Sequence, residues 1–171
     1  MPAGALIDPT TGVFTWTPTE EQGPGVYNLA VQVTDNSLVD TEDFQVTVSE
    51  VNVAPVLGAI GNKDVDEGSL LSFTVSATDP DLPENTLSFS ATGLPEGATF
   101  DPVTRLFSWT PDESQGGGTY DVTFTVGDGA ATDAETVTLT VNEVNEAPVA
   151  SGDAYATDED TVLTVAAPGV L

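Results

Sequence analysis

A tandem repeat constrains the fold of this chain more than any other feature of its sequence. Residues 2–36, PAGALIDPTTGVFTWTPTEEQGPGVYNLAVQVTDN, return at residues 95–129 as PEGATFDPVTRLFSWTPDESQGGGTYDVTFTVGDG. The register is gapless through residue 56, about half of the aligned positions are identical, and Trp16 recurs as Trp109, 93 positions later. Because each copy of such a repeat is one structural unit, the chain is an array of units.

Apolar and polar residues alternate within each copy in the manner of β-strands. Tyr120, Val122, Phe124 and Val126 alternate with aspartate and threonine, which is the period of two of a half-buried strand. Glycine and proline cluster between such segments and favour turns. We predict strands in the first copy at 13–17, 26–34 and 42–49, and in the second at 56–60, 69–78, 87–91, 98–100, 105–110, 119–126 and 134–141.

The repeat length sets the domain organisation. A unit of 93 residues has the size of one small β-sandwich, and 171 residues hold fewer than two such units. We therefore predict an all-β chain with one complete two-sheet sandwich at 54–146, preceded at 1–53 by the C-terminal half of a first unit and followed at 147–171 by the N-terminal strands of a truncated third. The predicted core of the complete unit is Phe73, Val75, Leu87, Phe89, Leu94, Phe107, Trp109, Tyr120, Val122, Phe124, Val137 and Leu139.

The first half-unit has no partner strands of its own. What precedes residue 94 in the complete unit has no counterpart before residue 1. Its apolar face therefore cannot be covered by its own sequence.

Charge is the strongest compositional signal. The chain carries 28 acidic residues against only Lys63 and Arg105, which gives a formal net charge of −26. Nucleic acid is excluded as a natural partner, since phosphate neutralisation needs Lys and Arg. Repulsion on this scale opposes a compact state unless salt or bound cations relieve it, and a calcium-containing exterior would do so.

Residue types that commonly carry catalysis are missing. The chain has no cysteine and no histidine, which removes disulfides, thiolate chemistry and the commonest general base. Paired carboxylates could hydrolyse glycosides only in a substrate cleft, and we expect none in a filled sandwich of this size. We therefore predict that the chain is not an enzyme.

Localisation signals are equally sparse. No stretch approaches the roughly 20 apolar residues of a membrane span, and MPAGALIDPT has no basic region followed by an apolar run. Because the chain starts inside repeated text, we expect it to be a piece of a longer exported protein whose signal lies elsewhere.

Acidic motifs recur at fixed places in the repeat. They are Val65-Asp66-Glu67-Gly68, Asp79-Pro80-Asp81 with Asn85 downstream, Val126-Gly127-Asp128-Gly129, and the E-V-N-x-A-P linkers that begin at Glu50 and Glu143. The linker prolines bias the residue before them toward an extended backbone, so we expect short, stiff linkers.

These motifs resemble the calcium-binding elements of cadherin-like repeats. The stretch around both tryptophans, with its repeated W-T-P-x-E-x-Q-G, also resembles the putative immunoglobulin-like and dystroglycan-type cadherin-like repeats of bacterial surface proteins. The resemblance spans nearly the whole chain and implies tandem immunoglobulin-like or cadherin-like Greek-key sandwiches that bind Ca²⁺ where units meet. Calcium suits such motifs because it takes six to eight oxygen ligands.

The resemblance implies two ligand sets. The set at the first junction is Glu20, Glu50, Asn52, Asp79, Asp81, Asn85 and Asp128. The set at the second junction is Glu67, Glu113, Glu143, Asn145 and Glu146. Val53 stands where the family linker offers a second carboxylate, and Glu50 and Glu143 replace aspartate, so we expect fewer ions than a cadherin junction holds.

A plainer interpretation of the same acids is open: Asp and Asn at loop positions are usually turn formers on a solvated surface. For Trp16 and Trp109, a place in the core is favoured over a platform for sugar stacking.

The function that we predict is a calcium-binding extracellular spacer module of a large cell-surface adhesin, in contact with neighbouring repeats, with any protein or polysaccharide ligand bound by other regions. The alternative is an accessory spacer or carbohydrate-binding module of a secreted polysaccharide-active enzyme.

Overall fold

The computed structural model describes residues 1–35, 37–147, 149, 152 and 154–165. Within them the first copy forms β1 (Leu6–Ile7), β2 (Phe14–Thr15), a 3₁₀ helix (Glu20–Gln22), β3 (Gly25–Thr34) and β4 (Val39–Val48). The second copy forms β5 (Val56–Leu57), β6 (Lys63–Asp66), β7 (Leu71–Thr74), β8 (Ala77–Thr78), β9 (Ser88–Thr92), β10 (Thr99–Asp101), β11 (Leu106–Trp109), a 3₁₀ helix (Glu113–Gln115), β12 (Thr119–Gly127) and β13 (Thr132–Asn142).

The second copy is a sandwich of two main sheets. One sheet has the order β6-β13-β12-β9 and the other has the order β10-β11-β7, while β5 and β8 form a separate pair. All pairings are antiparallel except that of β6 with β13. Their apolar faces enclose one core, which agrees with the predicted all-β sandwich.

The segment predicted as one strand at 69–78 is divided into β7 and β8. β7 pairs with β11, whereas β8 pairs with β5. Between them the Val75 N–H donates to the Arg105 carbonyl at 2.9 Å, and the Ser76 carbonyl accepts from Gly58 N–H at 2.7 Å. The alternation of apolar residues is unbroken because the chain changes its pairing partner without changing the face that it buries.

β6 was not among the predicted strands. It runs parallel to β13, with Val65 opposite Val141 and Asp66 opposite Asn142. Its sequence, KDVD, places only one buried apolar residue among three polar ones, so it carries almost no local strand signal. This pairing brings Glu67, the next residue, beside the linker that follows β13.

The core agrees with the alternation except at one residue. Phe107, Trp109, Val122, Phe124, Val137 and Leu139 are each at most 1% exposed. Leu94 is 37% exposed, so its assignment to the core was wrong; it lies in the loop between β9 and β10, outside any alternating strand. Leu57, Val65, Val126 and Val141 join the core without having been predicted.

The first copy has the same strands in the same places but an uncovered face. β1 pairs with β2, and β3 pairs with β4. Only Ala5 and Leu29 are buried among its apolar residues, while Val26, Val33 and Val39 are each more than half exposed. The corresponding strands of the second copy, by contrast, pack their apolar face into a closed core.

The described part of 147–171 contains no strand. This part contains a turn in which Thr161 N–H donates to the Asp158 carbonyl at 3.3 Å and Asp160 has a positive φ of 63°. The linker proline Pro148 and residues 166–171 of the predicted third unit lie outside the described residues. No helix in the described ranges is long and apolar enough to cross a membrane.

Candidate functional site

The repeated W-T-P-x-E-x-Q-G motif builds a loop that carries a glutamate. In the complete unit, Trp109 Nε1 and Gln115 Nε2 both donate to the Glu96 carbonyl, at 3.1 and 3.2 Å, and Gln115 Oε1 accepts from Asp112 N–H at 2.9 Å. These bonds hold the 3₁₀ helix whose first residue is Glu113.

The first copy repeats this arrangement. Trp16 Nε1 and Gln22 Nε2 donate to the Ala3 carbonyl at 3.2 and 3.0 Å, and Gln22 Oε1 accepts from Thr19 N–H at 2.9 Å. The loop thus presents Glu20 as its counterpart presents Glu113. Both glutamates lie beside the linker that follows the last strand of their unit.

At the first junction, carboxylates from both units and from the linker converge. Glu20, Glu50 and Asp81 form one group, and Asp79, Asp81 and Asp128 form a second; in each group the ligand oxygens all lie within 4.8 Å of one another. Oxygens bound to one calcium ion at about 2.3 to 2.6 Å can be at most about 5 Å apart, so each group has the dimensions of a cation site. Asp81, which is 1% exposed, belongs to both groups.

Hydrogen bonds hold the two units together at this junction. The Asp81 carboxylate accepts from the linker's Val53 N–H at 3.0 Å, and the Glu20 carboxylate accepts from Leu82 N–H at 2.9 Å. The amide of Asn52 donates to Asp128 at 3.0 Å, and the amide of Asn85 donates to Asp81 at 3.0 Å. All seven residues predicted for the first junction therefore lie in one connected set of contacts.

At the second junction, three of the predicted residues form a group. Glu67, Glu113 and Glu143 bring their oxygens within 4.8 Å of one another. Glu67 is 7% exposed, and its Oε1 accepts from the linker's Val144 N–H at 2.7 Å. Glu146 is outside the group but close enough to act on Glu113, and the Asn145 amide donates to the Glu146 carbonyl at 3.5 Å.

Three carboxylate oxygens in these groups are enclosed and have no hydrogen-bond partner among the residues that the structure describes. They are Glu50 Oε1, Asp79 Oδ2 and Glu67 Oε2. An enclosed carboxylate oxygen is costly unless a proton donor or a cation satisfies it. Since each of the three lies among other carboxylates, a bound cation would both satisfy the oxygen and relieve the repulsion. Carboxylate and amide oxygens are ligands for hard cations such as Ca²⁺, so the residues present fit the ion that the resemblance implied.

The crowding of these carboxylates shifts the pKa values of two of the glutamates. Burial, and then the negative charges of Glu20 and Asp81, raise the pKa of Glu50. The negative charge of Glu67, then burial, then the charges of Glu146 and Glu143, raise the pKa of Glu113. Both glutamates therefore hold a proton more tightly than an isolated glutamate does.

The Asp128 carboxylate behaves in the opposite way. Backbone N–H donation from Ala131, the Asn52 amide and Ala130 N–H lower the pKa of Asp128. Its charge is stabilised by these donors in the protein as it stands, in addition to any bound cation.

Several residues that shape the site were missed by sequence reasoning. Gln22 and Gln115 hold the glutamate loops, and Gly116 leaves the space that Glu67 Oε2 and Glu143 Oε2 occupy, since a Cβ there would overlap both atoms. The recurrence of glutamine and glycine after E-x in both copies was the signal that could have found them. Asp133 and Glu135 accept from backbone N–H groups of Leu57, Ile60 and Gly61, and only the fold could reveal this.

Comparison with solved structures shows the same architecture elsewhere. Two crystal forms of human protocadherin-24 EC1-2 align with TM-scores of 0.52 and 0.54 at 14% identity; they cover 83% and 85% of this chain and 77% and 80% of that one. This likeness shows a shared cadherin-like β-sandwich fold.

Two structures of enzymes align less well. A "putative alpha-galactosidase" from Bacteroides fragilis has a TM-score of 0.45 at 16% identity and covers 57% of this chain and 19% of that one. The endo-fucoidan hydrolase MfFcnA4 from glycoside hydrolase family 107 has a TM-score of 0.45 at 18% identity and covers 84% and 23%. This chain therefore spans about a fifth of the length of such enzymes.

Comparison of sequences identifies the family. No curated protein matches the chain. The family model described as Putative Ig domain matches residues 1–49 and again residues 54–142, one match to each copy of the repeat. Because these two matches take in well over half of the chain, the protein belongs to the Putative Ig domain family, which agrees with the β-sandwich seen in the structure.

Proposed function

We propose that this chain is a calcium-binding, extracellular repeat module of a large bacterial cell-surface adhesin, in which it acts as a stiffened spacer in cell adhesion. One observation carries the proposal: Glu50 Oε1, Asp79 Oδ2 and Glu67 Oε2 are enclosed among other carboxylates and have no hydrogen-bond partner in the described part of the chain. The proposed role is mechanical rather than catalytic, and any adhesion ligand would be bound by other regions of the parent protein.

The ligand sets divide between the two junctions. At the first, Glu20, Glu50 and Asp81 would hold one ion and Asp79, Asp81 and Asp128 a second, with Asp81 shared and the amide oxygens of Asn52 and Asn85 nearby. At the second, Glu67, Glu113 and Glu143 would hold an ion, with Asn145 and Glu146 at its edge. A bound calcium ion supplies positive charge that neutralises converging carboxylates.

The first site would couple the units because its ligands come from three parts of the chain. Glu20 belongs to the first unit, Glu50 and Asn52 to the linker, and Asp79, Asp81 and Asp128 to the second unit. Without a cation, repulsion among these carboxylates pushes the units apart. With it, the same groups resist bending of the linker, which is what a spacer under load requires.

Both tryptophans fit a place in the core better than the alternative role in carbohydrate binding. Sugar stacking needs an exposed aromatic face, and Trp109 is 1% exposed with its Nε1 bonded to the Glu96 carbonyl. Trp16 makes the equivalent bond to Ala3 and packs edge to face on Tyr27, with ring centroids 4.7 Å apart.

A calcium titration of the full chain by calorimetry tests the proposal. With a dissociation constant near 1 mM, about 10 mM calcium should stabilise the complete unit by about 1.4 kcal/mol and raise its melting temperature. A variant that combines Asp79→Asn with Asp81→Asn keeps side-chain size and an oxygen acceptor for Val53 N–H. If this variant loses the heat of calcium binding and the calcium-induced rise in melting temperature, the two aspartates are ligands. Asp64→Asn, on the exposed side of β6, is the matched control and should behave as the parent does. Equal calcium responses in all three proteins would overturn the assigned sites.

A further inference from the structure

The segment that connects the first linker to β6 is held mainly by side chains. We call residues 56–62 the strap. Within the described residues, its backbone bonding is limited to the two residue pairs of β5 with β8 and one bond from Gly58 N–H to the Ser76 carbonyl at 2.7 Å. β12, by contrast, pairs along nine residues with β13 and along five with β9. The strap therefore depends on other bonds for its position.

Two carboxylates of β13 supply most of those bonds. Asp133 Oδ2 accepts from Leu57 N–H at 2.8 Å. Glu135 Oε2 and Oε1 accept from the N–H groups of Ile60 and Gly61, each at 2.8 Å. Backbone N–H donation from Ile60, then from Gly61, lowers the pKa of Glu135, so the charged carboxylate is the form that holds the strap.

Lys63 binds the carbonyl side of the same residues. Its Nζ donates to the Ile60 carbonyl and, at 3.2 Å, to the Gly61 carbonyl. Both the N–H and the carbonyl groups of these two residues are therefore bound by side chains. Such a connection can open without breaking a strand pair in either main sheet.

The strap contributes few side chains to the core. Leu57 is buried and Ile60 is partly buried, whereas Val56 is more than half exposed. Trp109 and Phe124, which are among the largest core side chains, come from β11 and β12. Opening of the strap leaves them in place, and local opening of a segment with few buried contacts costs less free energy than global unfolding.

β6, which follows the strap, is joined to the fold by a continuous ladder. It runs parallel to β13 from Lys63, opposite Leu139, to Asp66, opposite Asn142. The first linker enters through the strap at the start of β6, and the second linker leaves from the end of β13. Tension between the linkers therefore pulls these parallel neighbours in opposite directions and loads their ladder bonds together. The strap meets the same tension before β6 does, through separate side-chain bonds.

We propose that the strap opens as one unit while both main sheets stay folded, and that this opening gives the spacer a first, reversible extension before β6 leaves β13. The seven residues of the strap, fully extended, span at most about 25 Å, which limits that extension. Asp133 and Glu135 determine how readily the strap opens. The extension under load rests on the proposed spacer function, whereas the opening itself does not.

Calcium at the first junction should restrain the strap. β5 pairs with β8, whose last residue directly precedes Asp79. The Asp81 carboxylate accepts from Val53 N–H in the linker that leads into β5. An ion held by Asp79 and Asp81 would keep β8 and this linker in place around β5, so bound calcium should slow the opening.

Native-state hydrogen exchange of the full chain, followed by NMR in chelator, tests the opening. The bonded strap amides should agree in protection to within about threefold and exchange at least about tenfold faster than those of β12. These amides are Leu57, Gly58, Ile60 and Gly61. Glu135→Gln should speed exchange at all four by about tenfold, because two charge-assisted hydrogen bonds are weakened, and leave β12 unchanged. Glu96→Gln makes the same charge change at an exposed residue and should exchange as the parent does.

The pattern of exchange separates opening as a unit from the loss of single bonds. Acceleration by Glu135→Gln at Ile60 and Gly61 alone, or strap amides as slow as those of β12, would overturn the proposal. Asp133→Asn gives an independent measurement, since it touches Leu57 but should also speed exchange at Ile60 and Gly61. A strap that opens as expected but whose exchange ignores calcium would count against the calcium site and leave the opening supported.

Stretching of the complete unit between its linkers tests the extension. The chain has no cysteine, so Val51→Cys and Val149→Cys, both at mostly exposed residues, provide two attachment points for optical tweezers. A reversible step of at most about 25 Å should precede unfolding of the unit, and Glu135→Gln should lower the force at which this step occurs. Unfolding without that step, in a protein whose strap amides exchange as expected, would overturn the extension under load and retain the opening.

Discussion

Trp16 and Trp109 have the same neighbours in sequence and make the same hydrogen bonds, yet they differ in burial. Each donates its Nε1 proton to a backbone carbonyl 13 residues earlier and packs edge to face on a tyrosine. Trp109 is 1% exposed, whereas Trp16 is partly exposed; within the described residues β2 pairs with β1 alone, while β11 also pairs with β7. The local motif sets the contacts of the indole, and the rest of the unit decides whether water reaches it.

Replacing Trp109 with alanine should destabilise the complete unit by about 3 to 5 kcal/mol, as is typical for a large buried aromatic residue. Urea denaturation, followed by circular dichroism, measures the change. Val103→Ala, at a residue that is 86% exposed, should stay within about 0.5 kcal/mol of the parent. A loss below about 1 kcal/mol for Trp109→Ala would contradict its place in the core.

Among the elements, the glutamate loop and β6 matter most to the site. The 3₁₀ helix that begins at Glu113 is short, but Gln115 ties it to Glu96, and Gly116 follows it at the point where Glu67 and Glu143 approach. β6 then delivers Glu67 from the opposite side through its parallel pairing with β13. The second junction therefore depends on two elements that are far apart in sequence.

Gly116→Ala should disrupt this approach, because a Cβ would overlap the carboxylate oxygens of Glu67 and Glu143. We expect the second junction to lose most of its calcium heat in calorimetry, with the first junction retained. The control is Gly152→Ala, since, its chain neighbours aside, no atom of the residues that the structure describes lies within 4 Å of the Cβ position there. Retention of the full calcium heat by Gly116→Ala would show that Glu67 and Glu143 do not act together.

At the scale of the whole molecule, the acidic groups whose pKa is shifted fall into two classes with opposite effects on stability. Glu50 and Glu113 have raised pKa values, so the folded protein binds their protons more tightly than the unfolded chain does. In Asp8, Asp101 and Asp128 backbone N–H donors lower the pKa, so the folded protein favours the charged form. The first class destabilises the calcium-free protein at neutral pH and the second stabilises it.

The melting temperature without calcium should therefore rise as the pH falls from 7 toward 4.5, the ordinary pKa of glutamate. It should fall again below 3.8, the ordinary pKa of aspartate, as the protein passes through the lowered pKa values. Combining Glu50→Gln with Glu113→Gln should flatten the first rise, whereas Glu21→Gln, outside both groups, should not. Thermal melts in the presence of a calcium chelator measure both changes. A melting temperature that rises steadily from pH 4.5 to 7 would contradict the crowding of carboxylates at the junctions.

Local order along the chain was enough to predict the repeat, the all-β class and most strands, because a period of two and recurrent turn residues are properties of neighbouring residues. β6 could not be predicted in this way, since its KDVD sequence becomes a strand only by pairing with β13, more than 70 residues later. Leu94 was misplaced for the same reason: hydrophobicity alone does not reveal whether a loop residue faces the core.

For the candidate site as well, the sequence determined one part and the tertiary structure another. The sequence by itself determined which oxygens are available, because the acidic motifs recur at fixed positions in the repeat. Only the tertiary structure decided how they are grouped: it placed Asp81 in two groups at once, left Glu67 Oε2 enclosed and unpartnered, and brought Gly116 against it. The physical reason is that carboxylates repel one another, so only the packing of strands that are distant in the sequence can hold them within the span of one ion.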